Sequence, residues 1–300
     1  MHTRRSILAA SIAAGFAALV LPSASMAQTK IPVVATTSIL GDFVKNVGGD
    51  RVEVTTLVGP NSDAHVYEPT PADAKNVAAA KAVVVNGLGL EGWMTRLFKA
   101  SGTKAPTVAA SKGIKSRKME EEGHQVTDPH AWQDIGNAKI YVANIRDGLA
   151  AADPAGKSTY EANAKAYLAK LDDLEKDVKA AIGKIPANRR RIVTTHDAFG
   201  YFGAAYGMEF ISPEGVSTET EPSAKDVAKI IVQIRKQKIP AVFMENISDP
   251  RMMQQIAKES GAKIGGALFS DALSDAKGPA PTYIDMMRNN IKQFDAALTS

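Results

Sequence analysis

Four side chains that could bind one metal ion are spread over most of the chain. His65, His130, His196 and Asp271 each follow a strand-like apolar run or lie in a loop marked by proline. Imidazole and carboxylate groups are the ordinary protein ligands of first-row divalent metals. The chain has only five histidines, and three of them occupy such positions. We therefore predict a metal site in a cleft that several distant segments build.

Each of these residues also has a simpler structural explanation. A lone histidine is more often structural than a ligand, and Asp271 could cap a helix N-terminus. Asp197 and Glu245 could orient a neighbouring ligand, because metal-bound histidines usually donate their second N–H to an acceptor. Asp197 fits a helix N-cap better, whereas Glu245 fits either role. Trp93 and Trp132 are interpreted as packing residues rather than as cation-binding groups.

The order of the predicted elements indicates an α/β protein with mostly parallel sheets. Strands alternate with helical patterns, as expected of βα units. The first half predicts strands over 31–37, 52–58 and 82–87 and helices over 39–47, 71–80 and 92–99. The second half predicts strands over 192–195, 209–211, 241–245 and 263–269 and helices over 198–206, 224–236, 250–260 and 282–298.

One long helix is predicted between the two halves. Residues 158–182 contain strong helix formers and no glycine or proline, and apolar side chains recur every three or four positions. The pattern is short for a coiled coil, so we interpret it as a stiff connector. The predicted domains are an N-terminal α/β lobe (28–155), a connecting helix (156–186) and a C-terminal α/β lobe (187–300). Open α/β sheets bind ligands at the carboxyl ends of their strands, which predicts a cleft between the lobes.

The first 27 residues resemble an export signal. Arg4 and Arg5 precede a short alanine-rich apolar stretch, and Ser25-Met26-Ala27 offers a small-x-small cleavage site. The sequence around the two arginines also resembles a twin-arginine signal, so Sec and twin-arginine export both stay open. The alternative to a cleaved signal is that the apolar stretch is retained as a membrane anchor. We expect a mature protein of about 270 residues in the periplasm.

Composition excludes several other classes of protein. The chain has no cysteine, which excludes disulfides, thiolate metal sites, a catalytic thiol and a lipid-modified cysteine. A free periplasmic protein is the simplest expectation. Without the two leader arginines, 34 basic side chains face 32 acidic ones. A net charge so close to zero gives no reason to expect nucleic acid as a partner. We also expect the protein to be a monomer.

Five segments resemble one known family. They are Pro-Asn-Ser-Asp-Ala-His-Val-Tyr-Glu-Pro at 60–69, Asp-Pro-His-Ala-Trp at 128–132, Thr-His-Asp-Ala-Phe-Gly-Tyr-Phe at 195–202, Gly-Val-Ser-Thr-Glu-Thr-Glu-Pro-Ser at 215–223 and Phe-Ser-Asp-Ala-Leu at 269–273. With these segments in family order, the mature chain resembles the cluster A-I substrate-binding proteins of ABC transporters, which capture zinc or manganese. The resemblance implies two α/β lobes bridged by a rigid helix, and a membrane permease as partner.

The resemblance also implies the ligands: His65 and His130 from the first lobe, and His196 and Asp271 from the second. Three imidazoles and one carboxylate suit tetrahedral zinc, whereas manganese prefers more oxygen ligands. Relatives specialised for manganese tend to carry a carboxylate where His196 stands. We therefore predict zinc, with manganese as the alternative. Because ligand imidazoles must be neutral, we also predict a loss of metal affinity below about pH 6.5, the reference pKa of histidine.

Two further points stay open at the sequence level. Many zinc-binding members have a long His-rich loop before the second ligand, but residues 117–125 are short and partly acidic and hold only His124. We interpret this segment as a solvated charged loop rather than a metal-collecting one. A secreted zinc hydrolase is the alternative function. Four protein ligands would fill a tetrahedral site, however, and no His-Glu-x-x-His motif is present, so we predict a binding protein with no catalytic residues.

Overall fold

The computed structural model describes residues 29–121, 124–215, 217–220 and 222–299. The predicted signal peptide, 1–27, lies outside this part of the chain. Within the described residues, no helix combines the length and the apolar character that a membrane span requires.

Ten strands and nine α-helices occur in the described residues. The strands are β1 (Ile31–Thr37), β2 (Val52–Val58), β3 (Ala82–Val85), β4 (Thr107–Ala109), β5 (Lys118–Glu121), β6 (His124–Thr127), β7 (Arg191–Val193), β8 (Glu209–Ile211), β9 (Ala241–Glu245) and β10 (Lys263–Leu268). The helices are α1 (Ser38–Gly48), α2 (Pro71–Ala79), α3 (Met94–Ser101), α4 (Ile135–Ala152), α5 (Lys157–Lys184), α6 (Gly200–Tyr206), α7 (Ala224–Gln237), α8 (Arg251–Ser260) and α9 (Tyr283–Leu298).

The strands form two parallel four-stranded sheets, in the orders β2-β1-β3-β4 and β10-β9-β7-β8. This arrangement confirms the predicted α/β class with mostly parallel sheets. In the second sheet the chain leaves β7 for β8 on one side and returns through β9 on the other. The neighbouring carboxyl ends of β7 and β9 therefore form a switch point, the usual place for a ligand in an open α/β sheet.

The segment interpreted as a charged loop contains a β-hairpin instead. β5 and β6 pair antiparallel, with Lys118 opposite Thr127. Both strands are short and rich in charged and polar residues, so the sequence lacks the apolar alternation that indicates a half-buried strand. Cross-strand backbone bonds are what hold this segment extended.

Helix α5 is the long connector that the sequence predicts, and it extends slightly beyond 158–182 at both ends. Its 28 residues span about 42 Å at ~1.5 Å per residue. Its first half is tied to α1, because Asn163 donates to the Val47 carbonyl at 3.0 Å. Its second half reaches α9, where Arg288 pairs with Asp177 at 3.1 Å. One face is buried along its length, at Tyr160, Ala164, Tyr167, Leu171, Leu174, Val178 and Ile182.

The larger of two hydrophobic clusters runs through both halves of the described chain. It contains Phe43 of α1, Leu171 of α5, Phe243 of β9 and Phe294 of α9, each fully buried. A smaller cluster lies between the second sheet and helices α7 and α8. Sheets that share a core resist relative motion, because separating them exposes apolar surface to water. The predicted limits of the lobes, at 155 and 187, stay predictions.

Two adjacent glycines, Gly265 and Gly266, lie where the register of β10 changes. A Cβ on Gly265 would lie 2.2 Å from the Phe243 ring, so no larger residue fits there without a shift. The register changes between Ile264 and Ala267, and Leu268 then pairs with Glu245. The chain therefore leaves β10 beside the carboxyl end of β9.

Candidate metal centre

The four predicted metal ligands converge on one point. His65 comes from the loop after β2, His130 from the turn before α4, His196 from the end of β7, and Asp271 from the segment after β10. One nitrogen or carboxylate oxygen from each residue lies within 4.8 Å of the corresponding atoms of the other three. The site lies between the carboxyl ends of strands from both sheets, which is the position that the sequence predicts for the cleft.

The carboxylate of Asp271 lies at the centre of three imidazoles. Its Oδ2 is 3.3 Å from His65 Nε2 and 3.0 Å from His196 Nε2, and its Oδ1 is 3.6 Å from His130 Nε2. The Nε2 atoms of His65 and His130 are 3.2 Å apart. Ligand atoms around a tetrahedral ion with bonds of ~2.0–2.1 Å would be separated by about 3.3 Å. The four shortest of these separations, 3.0 to 3.6 Å, therefore suit one small ion.

The site is buried but not satisfied by protein hydrogen bonds. His130 and His196 are fully buried, Asp271 is 2% exposed and His65 is 9% exposed. Within the described part of the chain, both Asp271 oxygens and His196 Nε2 have no hydrogen-bond partner. A buried carboxylate without donors is costly, and a bound cation would offset that cost. The donor set thus fits a divalent transition metal.

Without a metal, the charges of the site favour protonated imidazoles. Burial lowers the pKa of His130, but the Asp271 charge and the contact with Asp128 outweigh it and raise that pKa to about 9. The pKa of His196 rises in the same way, because Glu245 and Asp271 outweigh its burial. Burial would raise the pKa of Asp271, yet His196 and His130 hold it well below its usual value. A metal ion must therefore displace protons.

Two carboxylates contact the Nδ1 atoms of the two fully buried histidines, on the side of each ring away from the site. Asp128 Oδ1 lies 2.9 Å from His130 Nδ1 and also accepts the His130 backbone N–H at 3.0 Å. Glu245 Oε2 lies 2.6 Å from His196 Nδ1, and its Oε1 accepts the backbone N–H groups of Thr195 and His196. A proton on each Nδ1 leaves the Nε2 lone pair directed at the site, the state that metal binding needs.

The outermost histidine is positioned by its own loop. Asp63 Oδ1 accepts the His65 backbone N–H at 2.8 Å, and Trp93 donates to the Ala64 carbonyl at 2.9 Å. The second oxygen of Asp63 accepts the Thr218 hydroxyl at 2.5 Å, which links the loop to the other half of the molecule. Contacts to both polar groups of the Ala64–His65 peptide bond therefore fix the position from which the His65 side chain reaches the site.

Access to the site passes His65. Two surface cavities of about 440 Å³ each flank this residue, and both are lined by His65, Gly92 and Glu219. The other three site residues line neither cavity. The imidazole of His65 therefore separates the buried site from solvent, and an ion that enters through these cavities meets His65 first.

Several secondary interpretations are decided by these contacts. Glu245, which the sequence left between two roles, faces His196. Asp197 does not cap α6, whose N-cap is Phe199 without a side-chain hydrogen bond. Trp93 and Trp132 are buried packing residues, as predicted. His124 is exposed on β6 and lies outside the cluster.

Sequence reasoning missed Asp128, Asn290 and Gln133, whose Nε2 donates to the Ser270 carbonyl at 2.8 Å. Asp128 stands two residues before His130, a spacing that allows an Asx turn and could have identified it. Asn290 of α9 donates to the Phe269 carbonyl and accepts the Phe269 N–H, so it holds the chain just before Asp271. No local pattern marks Asn290 or Gln133, because their partners are distant in sequence.

Comparison with known proteins gives consistent matches over nearly the whole chain. A family model described as ZnuA, zinc-uptake complex component A, periplasmic, matches residues 33–297. The manganese-binding lipoprotein MntA of Halalkalibacterium halodurans is 36% identical over 269 residues, which cover 90% of this chain and 89% of that protein. The iron-binding protein YfeA of Yersinia pestis is 34% identical, covering 95% of this chain and 92% of that protein. The periplasmic zinc-binding protein TroA from Treponema pallidum has a similar structure, with a TM-score of 0.85 at 34% identity, covering 90% of this chain and all of that one.

Proposed function

The chain belongs to the periplasmic zinc-uptake component A family, and we propose that it captures a divalent transition-metal ion and delivers it to the membrane permease of an ABC importer. The observation that carries this proposal is the buried cluster of three imidazole nitrogens and one carboxylate, all within 4.8 Å of one another. His65, His130, His196 and Asp271 are the proposed ligands. Metal analysis of protein purified from periplasm, with one ion per chain expected, tests it.

We propose that zinc is bound more tightly than manganese. Three nitrogen donors and one carboxylate match tetrahedral zinc, and nitrogen sites bind zinc more tightly than manganese. We expect the dissociation constant of zinc to be lower than that of manganese by a wide margin. Competition titration of the metal-free protein with both ions measures the ratio. Comparable constants for zinc and manganese would contradict the assignment.

Manganese is the second candidate for the delivered ion. Relatives named for manganese or iron are as similar to this chain as those named for zinc. Both oxygens of Asp271 face the imidazoles, so a bidentate carboxylate could raise the coordination number for manganese. Most nitrogen sites prefer zinc intrinsically, and metal supply in the cell then decides what is transported. Metal analysis of periplasmic protein from cells grown with each metal distinguishes the two candidates.

We propose that the protein is a carrier and not an enzyme. A catalytic zinc keeps one position open for water, whereas four protein ligands occupy every position of a tetrahedral site. The export leader, the periplasmic location and a monomeric state belong to the same proposal. A free periplasmic monomer should elute at the mass of one mature chain, which size-exclusion chromatography with light scattering measures.

The two halves are expected to move little when the metal binds. Asp42 of α1 accepts both the Tyr283 backbone N–H at 3.0 Å and the Tyr167 hydroxyl at 3.3 Å, which ties three helices together. Tyr283 also donates to the Trp132 carbonyl at 2.6 Å. Together with α5 and the shared core, these bonds oppose the hinge closure of many other binding proteins. The radius of gyration from small-angle scattering should be nearly the same with and without zinc, and clear compaction would contradict this expectation.

A further inference from the structure

A seam of hydrogen bonds joins the two halves directly beside the proposed metal site. Trp132 Nε1 and Gln133 Nε2 both donate to the Ser270 carbonyl, at 2.9 and 2.8 Å. Gln133 is three residues after His130, and Ser270 immediately precedes Asp271. One backbone oxygen therefore connects the segment of His130 to the segment of Asp271.

Gln133 is poorly explained as a stabilising residue. It is fully buried, and its Oε1 has no hydrogen-bond partner within the described part of the chain. A buried amide with half of its polar atoms unpaired costs stability, so an apolar side chain of similar length would suit the fold at least as well. The donor half of this amide is the part with an evident task, because it reaches the Ser270 carbonyl.

The carboxylate of Asp271 depends on its backbone for its position. Its oxygens face the three ligand imidazoles, and in the described residues no hydrogen bond from an outer side chain or a backbone N–H orients the carboxylate. The chain just before it is held by Asn290 at Phe269 and by Trp132 and Gln133 at Ser270. These contacts determine where the carboxylate lies relative to the imidazole of His130.

We propose that Gln133 is a positioning residue for the metal site, which fixes the distance between the His130 and Asp271 ligands through the Ser270 carbonyl. This inference rests on the proposed function. Groups that orient metal ligands typically change metal affinity about 10- to 100-fold when they are removed. Loss of the Gln133 donor should therefore weaken metal binding while leaving the metal-free fold intact.

The test compares Gln133→Met with a matched control. Methionine keeps the length of the side chain and removes both the donor and the unpaired oxygen. We expect zinc affinity to fall about 10- to 100-fold and the melting temperature of the metal-free protein to stay equal or rise. The control is Asn163→Leu, which removes an amide-to-carbonyl bond on α5, away from the site. It should lower the melting temperature and leave zinc affinity unchanged.

A spectroscopic readout separates positioning from simple stabilisation. Cobalt bound in place of zinc reports ligand geometry through its visible absorption bands, which should shift in Gln133→Met and not in Asn163→Leu. Trp132→Phe removes the other donor to the same carbonyl and should shift the bands in the same way. If Gln133→Met does not fold, Gln133→Leu, which removes the same donor, takes its place in both measurements.

Unchanged affinity and unchanged cobalt bands in the folded variants would overturn the role of Gln133. Failure of the proposed function would look different. In that case the unaltered protein would bind no zinc, or His196→Ala would bind it as well as the unaltered protein does.

Discussion

Replacing His196 by alanine is expected to weaken zinc binding on the order of 1,000-fold or more, because removal of a direct ligand should exceed the 10- to 100-fold cost of removing an outer partner. His196 is fully buried, and its Nε2 lies 3.0 Å from Asp271. Alanine removes the nitrogen donor and leaves Glu245 without the imidazole it faces. Competition titration against a chelator of known affinity measures the loss, with circular dichroism to show that the variant is folded.

The same substitution at His65 should have a smaller effect. His65 lies at the solvent side of the site, beside the two surface cavities, so a water molecule can take the place of its imidazole. The matched control is His124→Ala, because His124 is an exposed histidine outside the cluster. Its affinity should equal that of the unaltered protein. If His196→Ala and His65→Ala both bound zinc as tightly as the control does, His196 and His65 would not be metal ligands.

Zinc affinity is expected to fall steeply as the pH is lowered from about 9, well above the window near 6.5 that free histidine suggests. The pKa of His130 is raised to about 9, and that of His196 is raised too. Both imidazoles are therefore in the doubly protonated, positively charged form at neutral pH when no metal is bound. Each proton that zinc must displace lowers the affinity about tenfold per pH unit below the relevant pKa. Between pH 8 and pH 6 we expect a loss of at least about 100-fold.

The metal-free protein should respond to pH in the opposite direction. A histidine whose pKa is raised on folding stabilises the protein below its unfolded pKa, and this contribution is lost as the pH rises through the folded value. For His130 the loss falls between about 6.5 and about 9. The lowered pKa of Asp271 acts only in acid, where stability declines as the carboxylate is protonated.

Calorimetry and thermal melting check both halves of this expectation. Titration of zinc in buffers of different ionisation enthalpy counts the protons released, and we expect more than one per ion at pH 7. Melting temperatures between pH 6.5 and 9 should fall for the metal-free protein and stay nearly constant for the zinc-loaded protein at fixed free zinc, because neither the unfolded nor the zinc-bound imidazoles carry the extra proton there. Equal zinc affinity at pH 6 and pH 8 would show that the imidazoles are not protonated in the empty site.

Much of the fold could be read from local sequence patterns. The strands over 31–37, 52–58, 209–211 and 241–245 have the bounds that the sequence predicts. Such agreement is expected where apolar runs are bounded by clear turn or helix signals, because local propensity and burial then favour the same structure. The antiparallel strands over 118–121 and 124–127 depart from this rule, since their pairing depends on cross-strand backbone bonds and not on an apolar face.

For the candidate site, the sequence by itself determined the residue types and their places at the ends of strands and turns. It marked His65, His130, His196 and Asp271, because few histidines are present and strand ends are easy to find. Only the tertiary structure decided that their ligand atoms lie within 4.8 Å of one another, and that Asp128 and Glu245 face the two deeper imidazoles. The raised pKa of His130, about 9, also depends on the tertiary structure. So does the hydrogen bond from Gln133 to Ser270, the residue before Asp271. The physical reason is that distance, burial and charge–charge interaction depend on residues far apart in the chain, whereas chain patterns report only what near neighbours favour.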